Sequence, residues 1–224
     1  MFPSHPYNGV DMPKMIDISP LISPKIGVWT GDTEFSQQFL CRFETGANLD
    51  LSTITTTVHL GAHTDAPSHY VPNGQTMEER PLELYYGPCQ IITVDVPRGE
   101  RILPKYIEGI EILAERVLFH TKSFPNPNHF TTDFNALSPE LVDYCAERGV
   151  RLIGLDTPSV DPYSSKALES HNAIARHDMA VLEGVVLTDV ADGVYTLIAL
   201  PLKIQGSDAS PVRAVLVGWI LLIT

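Results

Sequence analysis

Between positions 59 and 69 the chain reads His59-Leu60-Gly61-Ala62-His63-Thr64-Asp65-Ala66-Pro67-Ser68-His69, a segment that no single regular element accommodates. Gly61 and Pro67 oppose a helix, since glycine weakens one and proline breaks it. As a strand, His59, Gly61, His63 and Asp65 share one face, with His63 and Asp65 about 6 to 7 Å apart at the backbone. His59 then lies about 13 Å from His63. Only a bend brings it closer, and Gly61 is the residue that supplies one. The segment therefore reads as a strand bending into a loop.

Three of the chain's eight histidines and one carboxylate fall in these eleven residues. Imidazole and carboxylate together suit zinc, manganese or iron. Any one of these residues alone is ordinarily a solvated loop side chain, and an aspartate before a proline often caps a turn. Four together point to metal binding. A second constellation, Ser170-His171-Asn172 followed by Leu182-Glu183-Gly184, lies downstream. His171 falls on the apolar face of a helical pattern, where a lone histidine is usually a satisfied core residue. Glu183 sits inside an apolar run, Met179 to Val186. A carboxylate buried there requires a partner or a metal.

Composition narrows the function classes. The 224 residues, 44% hydrophobic and 19% charged, are ordinary for a folded domain, so no disulfide or low-complexity scaffold is needed. A net charge of −12 with no basic patch argues against nucleic acid. Three cysteines, Cys41, Cys89 and Cys145, form no CxxC pair and fit a reducing cytoplasm. Cys145 falls on a core helix face and the other two in or beside strands, so inert packing is expected of all three. The N-terminal residues lack a signal-peptide pattern. The apolar run Ala214 to Ile223 is about half a membrane span, which reads as a core strand. No GxSxG, GxGxxG or GxxxxGK[ST] motif occurs.

Nothing cuts the chain in two. Strands are expected at Met15–Ile18, Phe39–Phe43, Ser52–His59 and Ile91–Val96, which carry Thr, Ile, Val and Phe. In the second half Ser138 is an N-cap candidate with Pro139 in the first turn and Gly149 after the last. A buried strand over Arg151–Asp156 and a helix over Ser165–Arg176 follow. Two strands flank the Asp192-Gly193 turn, and Val212–Leu222 completes the sheet. The class is α/β: one domain with a mixed, largely antiparallel sheet and flanking helices.

The run HLGAHTDAPSH resembles the HxGTHxDxPxH signature of the metal-dependent cyclase family, and the surrounding chain is similar to its bacterial kynurenine formamidase (arylformamidase) branch. RLIGLDTPSVDP, HDMAVLEGVVL and LIALPLKIQGSDASPVRAVL carry the resemblance from about Ile16 onward, which implies an N-terminal extension over residues 1–15 and a cyclase-like domain over 16–224. It implies a swivelling β/β/α fold and two zinc ions per subunit, with manganese also compatible. His59, His63 and Asp65 would hold one ion, His171 would complete a second site, and Asp65 and Glu183 would bridge the two. His69 matches the family's proton donor and acceptor, and Trp29 an aromatic that contacts substrate. The implied reaction is hydrolysis of N-formyl-L-kynurenine to L-kynurenine and formate, in tryptophan degradation, by a cytoplasmic homodimer or homotetramer. Opening of a cyclic amide such as isatin, or metal-dependent binding without catalysis, are the alternatives. Ala62 departs from the signature's Thr. On the residues alone, Trp29 is equally a packing aromatic, the Asp156–Ser159 loop equally a turn, and His177 a residue suited to terminal helix carbonyls. His5, His120 and His129 have no carboxylate at a telling spacing.

Overall fold

The central strands are buried on both faces, and that determines the layering. In the computed structural model, which describes residues 14–218, thirteen short strands and two α-helices are present among the described residues. The strands are β1 (Lys14–Asp17), β2 (Ser36–Cys41), β3 (Leu51–Thr55), β4 (His63–Asp65), β5 (Tyr86–Thr93), β6 (Arg101–Ile102) and β7 (Arg116–His120). They continue with β8 (Ala136–Leu137), β9 (Leu152–Leu155), β10 (Ala180–Leu182), β11 (Gly193–Ile198), β12 (Ala209–Pro211) and β13 (Val215–Gly218). The helices are α1 (Pro139–Ala146) and α2 (Glu169–Arg176).

Seven strands form one mixed sheet in the order β1-β13-β11-β5-β7-β9-β10. Its first three pairings are antiparallel and its last three parallel, so the two senses are evenly divided within it. Period-2 alternation sends successive side chains to opposite faces. Val117, Phe119, Ile153, Leu155 and Val181 join the core beneath α1 and α2. Leu118, Leu152, Ala180 and Leu182 face the other way, with Ala62, Ala66 and Val212 from the β4–β12 layer. The result is a small β layer, a large sheet and a helical layer.

The first helix forms where its caps predict. Ser138 Oγ accepts from the Leu141 amide at 3.1 Å, Pro139 occupies the first turn, and Leu141, Val142 and Cys145 are buried. The second begins later than its composition suggests, at Glu169 instead of Ser165. Leu168 takes a left-handed conformation (φ 48°) and Asp161 accepts from the Ser170 and His171 amides, so the chain turns before the helix starts.

Other differences are equally local. β3 ends at Thr55, because the chain bends on its way to β4 and does not run straight to His59. Asp192-Gly193 is no hairpin: β11 starts at Gly193 and pairs with β5 and β13, while the Asp192 carboxylate accepts from the Thr93 amide and hydroxyl. β13 begins at Val215 instead of Val212 and runs to Gly218, and the expected remainder lies outside the described residues. The same holds for residues 1–13 of the expected extension, whose last two positions, Lys14 and Met15, pair with Gly218 and Val217 in the sheet.

Where β10 ends, two glycines let backbones meet. Gly184 has φ +65°, and a Cβ there would lie 2.1 Å from the Gly61 carbonyl oxygen. Gly109 also has positive φ (+82°) but nothing within 4 Å. Gly109→Ala should therefore cost only the left-handed strain, about 1 kcal/mol, whereas Gly184→Ala adds a backbone clash worth about 1 to 3 kcal/mol more. Thermal denaturation of the two variants should show the larger loss at Gly184; equal losses would mean that the close approach to Gly61 carries no weight.

Candidate metal centre

The bend anticipated at Gly61 is present, with φ +59°. It folds His59 back so that its ring lies 5.3 Å from that of His63, centroid to centroid. His63 and Asp65 occupy β4, which pairs with β12 through Ala209↔Asp65 and Pro211↔His63. On the other side His63 exchanges two backbone hydrogen bonds with Glu183, at 3.1 and 2.9 Å. The middle of the apolar run forms β10, Glu183 follows it directly, and its carboxylate enters the protein beside the histidine cluster. His171 arrives from α2, on the face that packs inward.

Asp65, Glu183, His63 and His171 are each buried to 97% or more. His63 Nε2 stands 3.2 Å from Glu183 Oε2 and 3.5 Å from Asp65 Oδ1. His171 Nε2 stands 3.4 Å from Asp65 Oδ2 and 3.7 Å from Glu183 Oε1. His59 Nδ1 is 2.9 Å from Asp65 Oδ1. Donor atoms of His59, His63 and Asp65, and separately of Asp65, His171 and Glu183, lie within 4.8 Å of one another. Asp65 belongs to both groups, and Glu183 touches His63 of the first and His171 of the second.

The donor set fits divalent cations. Asp65 Oδ1 and His171 Nε2 are buried without a well-aligned hydrogen bond, an arrangement that is expensive unless something else satisfies them. His63 and His171 each spend the remaining ring nitrogen on an oxygen, His63 Nδ1 on the Gly61 carbonyl at 2.9 Å and His171 Nδ1 on Asp161 at 2.8 Å. Such partners orient ligating imidazoles and set their tautomers. Asp161, the same residue that receives the first amides of α2, carries no signal of this role in the sequence. Neither does Asp208, whose Oδ2 lies 3.0 Å from His59 Nε2 and 3.3 Å from His69 Nδ1.

Electrostatics follow from the crowding of carboxylates. Burial opposes protonation of His59 and His171, but the carboxylates beside them prevail: Asp65 and Asp208 push His59 up to about 9, and Asp161 and Asp65 push His171 up to about 10. His63 is likewise raised against its burial by Glu183 and Asp65. Asp65 is held well below the carboxylate range by His171 and His59 despite its burial.

His69 sits in the 3-10 turn Pro67–His69, outside the most buried donors, with its ring 4.3 Å from that of His59. It lines a cavity of about 380 Å³ that also touches His59, His63, Asp65, His171 and Glu183. Trp29 lines the same cavity, packed against Tyr163 at 4.8 Å and Phe130 at 5.5 Å between ring centroids. Pro158 and Ser159 of the loop after β9 also reach it. Other residues fall elsewhere. His177 bonds Asp143 at 2.8 Å instead of helix carbonyls, and His120 stands 3.8 Å from Asp156, a carboxylate that spacing did not suggest. Cys89 and Cys145 are buried, and burial raises both thiols to about 12.

A family model described as "Putative cyclase" matches residues 16–162. The chain belongs to this cyclase family. Among curated relatives it is 44% identical over 206 residues to a kynurenine formamidase of Bordetella petrii, covering 92% of this chain and 98% of the relative. It is 43% identical, over the same shares, to a kynurenine formamidase of Maricaulis maris. Among solved structures, one titled as a potential metal-dependent hydrolase with cyclase activity superposes with TM-score 0.80 at 27% identity, covering 92% of this chain and 98% of that one. The chain therefore shares its layered fold with that structure.

Raised histidine pKa values make metal binding a proton-releasing event. At pH 7 His59 and His171, near 9 and 10, are protonated in the metal-free protein. Titration calorimetry of chelator-stripped protein with zinc, in buffers of different ionisation enthalpy, should report net proton release at pH 7. Release should shrink as pH rises through 9 to 10, while apparent affinity increases. Without metal the sign is opposite: the raised values stabilise the fold below the unfolded histidine value near 6.5, and that contribution disappears as pH rises through 9 to 10. Proton release that does not change with pH would contradict the assignment.

Proposed function

We propose that the chain is an arylformamidase, hydrolysing N-formyl-L-kynurenine to L-kynurenine and formate in tryptophan degradation. The observation that carries this reading is His69: a histidine with a carboxylate partner stands beside the buried donor shell and inside an aromatic cavity. The naming of relatives at 43 to 44% identity as kynurenine formamidases supports the same substrate. His59, His63 and Asp65 would hold one zinc, with His171 completing a second site and Asp65 and Glu183 bridging the pair; manganese suits the same donors. When bound, such an ion pair lowers the pKa of water toward neutrality and polarises the carbonyl oxygen.

The protein's own groups perform the rest. Trp29, Phe130 and Phe124 offer aromatic walls for the aryl ring. Asp32 lines the same cavity, and its carboxylate suits the substrate's ammonium group, a charge that isatin lacks. His69 accepts a proton from the attacking water through its unengaged ring nitrogen as the oxygen adds to the formyl carbon. It then returns that proton to the aryl nitrogen, so that the C–N bond breaks with the amine leaving neutral and the formyl group leaving as formic acid, which releases its proton to solvent to give formate. This proton return makes the amine a competent leaving group.

A homodimer or homotetramer completes the reading. Along β2 and β3 nearly every residue is exposed, including Leu40 at 68%, Ile54 at 59% and, just beyond, Phe43 at 64%. A lone two-stranded hairpin is marginal in water, and an apolar one exposed on both faces suits burial against a second copy. No helix among the described residues is long and apolar enough to cross a membrane, and the three cysteines are free, which supports a cytoplasmic setting.

Protein stripped with chelator should regain formamidase turnover on N-formyl-L-kynurenine when zinc is restored, with isatin as the control. In the same series His69→Ala should retain metal but lose on the order of 100-fold or more in kcat, and Trp29→Ala should mainly raise KM. Turnover of isatin alone would move the chain to a sister activity, and no turnover of either would favour binding without catalysis. For assembly, sedimentation should show a dimer or tetramer that Leu40→Lys with Ile54→Lys dissociates; a monomeric parent protein would remove the hairpin from this role.

A further inference from the structure

We propose that Asp208 is the positioning residue of this site: one carboxylate that fixes the tautomer of both His59 and His69. The inference deepens the role given to His69 above and rests on it. Asp208 Oδ2 receives both rings, His59 Nε2 at 3.0 Å and His69 Nδ1 at 3.3 Å. An ionised carboxylate only accepts, so both of these nitrogens carry hydrogen. The consequence differs for the two rings. In neutral His59 the lone pair falls on Nδ1, which faces Asp65 Oδ1 at 2.9 Å, two acceptors that only a cation or a proton reconciles. In His69 the lone pair falls on Nε2, the nitrogen left to exchange a proton with substrate.

Backbone pairing explains why Asp208 is suited to hold both. Its carbonyl accepts from the Ala66 amide at 2.8 Å, and the next residue, Ala209, pairs with Asp65 in β12–β4. Just before it, the Ser207 carbonyl accepts from the Met77 amide at 2.8 Å. The carboxylate is therefore mounted on the same short sheet as Asp65, and metal ligand and proton carrier share one frame. Donor atoms of His59, His69 and Asp208 lie within 4.8 Å of one another, and the two imidazole rings are inclined at 46° around the shared oxygen. A carboxylate that steadies a metal-ligating histidine is a known arrangement whose removal weakens metal binding or activity 10- to 100-fold. Here the same oxygen also serves the histidine that moves the proton.

The test reads tautomers directly. In ring-15N-labelled protein, zinc-loaded and metal-free, His69 should be a single Nδ1–H tautomer, and Asp208→Ala should convert it to a mixture containing the Nε2–H form that free imidazole side chains prefer. Asp208→Asn keeps an accepting oxygen and should restore much of the Nδ1–H signal, which also guards against a misfolded alanine variant. At saturating zinc, Asp208→Ala should lower kcat on the order of 10- to 100-fold with KM within about twofold, and chelator competition should show zinc affinity weakened by a similar factor. Added to His69→Ala, it should cause no further loss of kcat. An unchanged His69 tautomer in Asp208→Ala, or a full additional loss in the double variant, would overturn the proposal. If the parent protein fails to turn over N-formyl-L-kynurenine, the function proposed above falls, while the ring spectra still decide the role of Asp208.

Discussion

Two carboxylates, Asp65 and Glu183, are held almost out of contact with solvent where β4 meets the end of β10. Ionised groups in such a place are tolerable only if opposite charge or donors surround them. Much of the local architecture supplies that surrounding. His63 lies between the two, His171 reaches both from α2, and the Val160 amide donates to Glu183 at 2.7 Å. The double backbone bridge between His63 and Glu183 keeps the two sides together before any ion is considered.

A hierarchy of orienting groups stands behind this centre. Asp161 receives two amides of α2 and the ring of His171, so the placement of the helix and of the histidine is one event. Asp208 plays the corresponding part on the β4–β12 side, where strand register determines where its carboxylate falls. Inner and outer acids together explain why His59 and His171 are more basic than free imidazole despite burial: each of these two rings faces carboxylates on both of its nitrogens. A centre of this kind is built for cations, and the surplus of negative charge in the chain is consistent with that use.

The aromatic wall and the acid-rich floor come from different parts of the chain. Trp29 belongs to a loop before the hairpin, Phe130 and Phe134 to the segment between β7 and β8, and Tyr163 to the turn before α2. Their packing against one another gives the cavity an apolar, aromatic side. The floor concentrates charge. The substrate class proposed above, a flat aryl ring carrying a hydrolysable formamide, has a part suited to each surface.

Much of this was legible from residues alone. Gly61 announced the bend, Ser138 and Pro139 the start of α1, and the isolated acid in the β10 run a need for partners. Those signals are local, set by backbone sterics, capping and the cost of a buried charge. Tertiary structure decided the rest. The start of α2 moved to Glu169 because Asp161, eight positions earlier, captures its amides. Asp192-Gly193 became a strand entry because Thr93, remote in sequence, takes the aspartate. Asp208, in an unremarkable Gly-Ser-Asp-Ala turn, acquires its two histidines only when β12 pairs with β4. Residue type and spacing reveal what a segment can do; which distant groups complete it depends on strand pairing across more than a hundred residues, which no local pattern encodes.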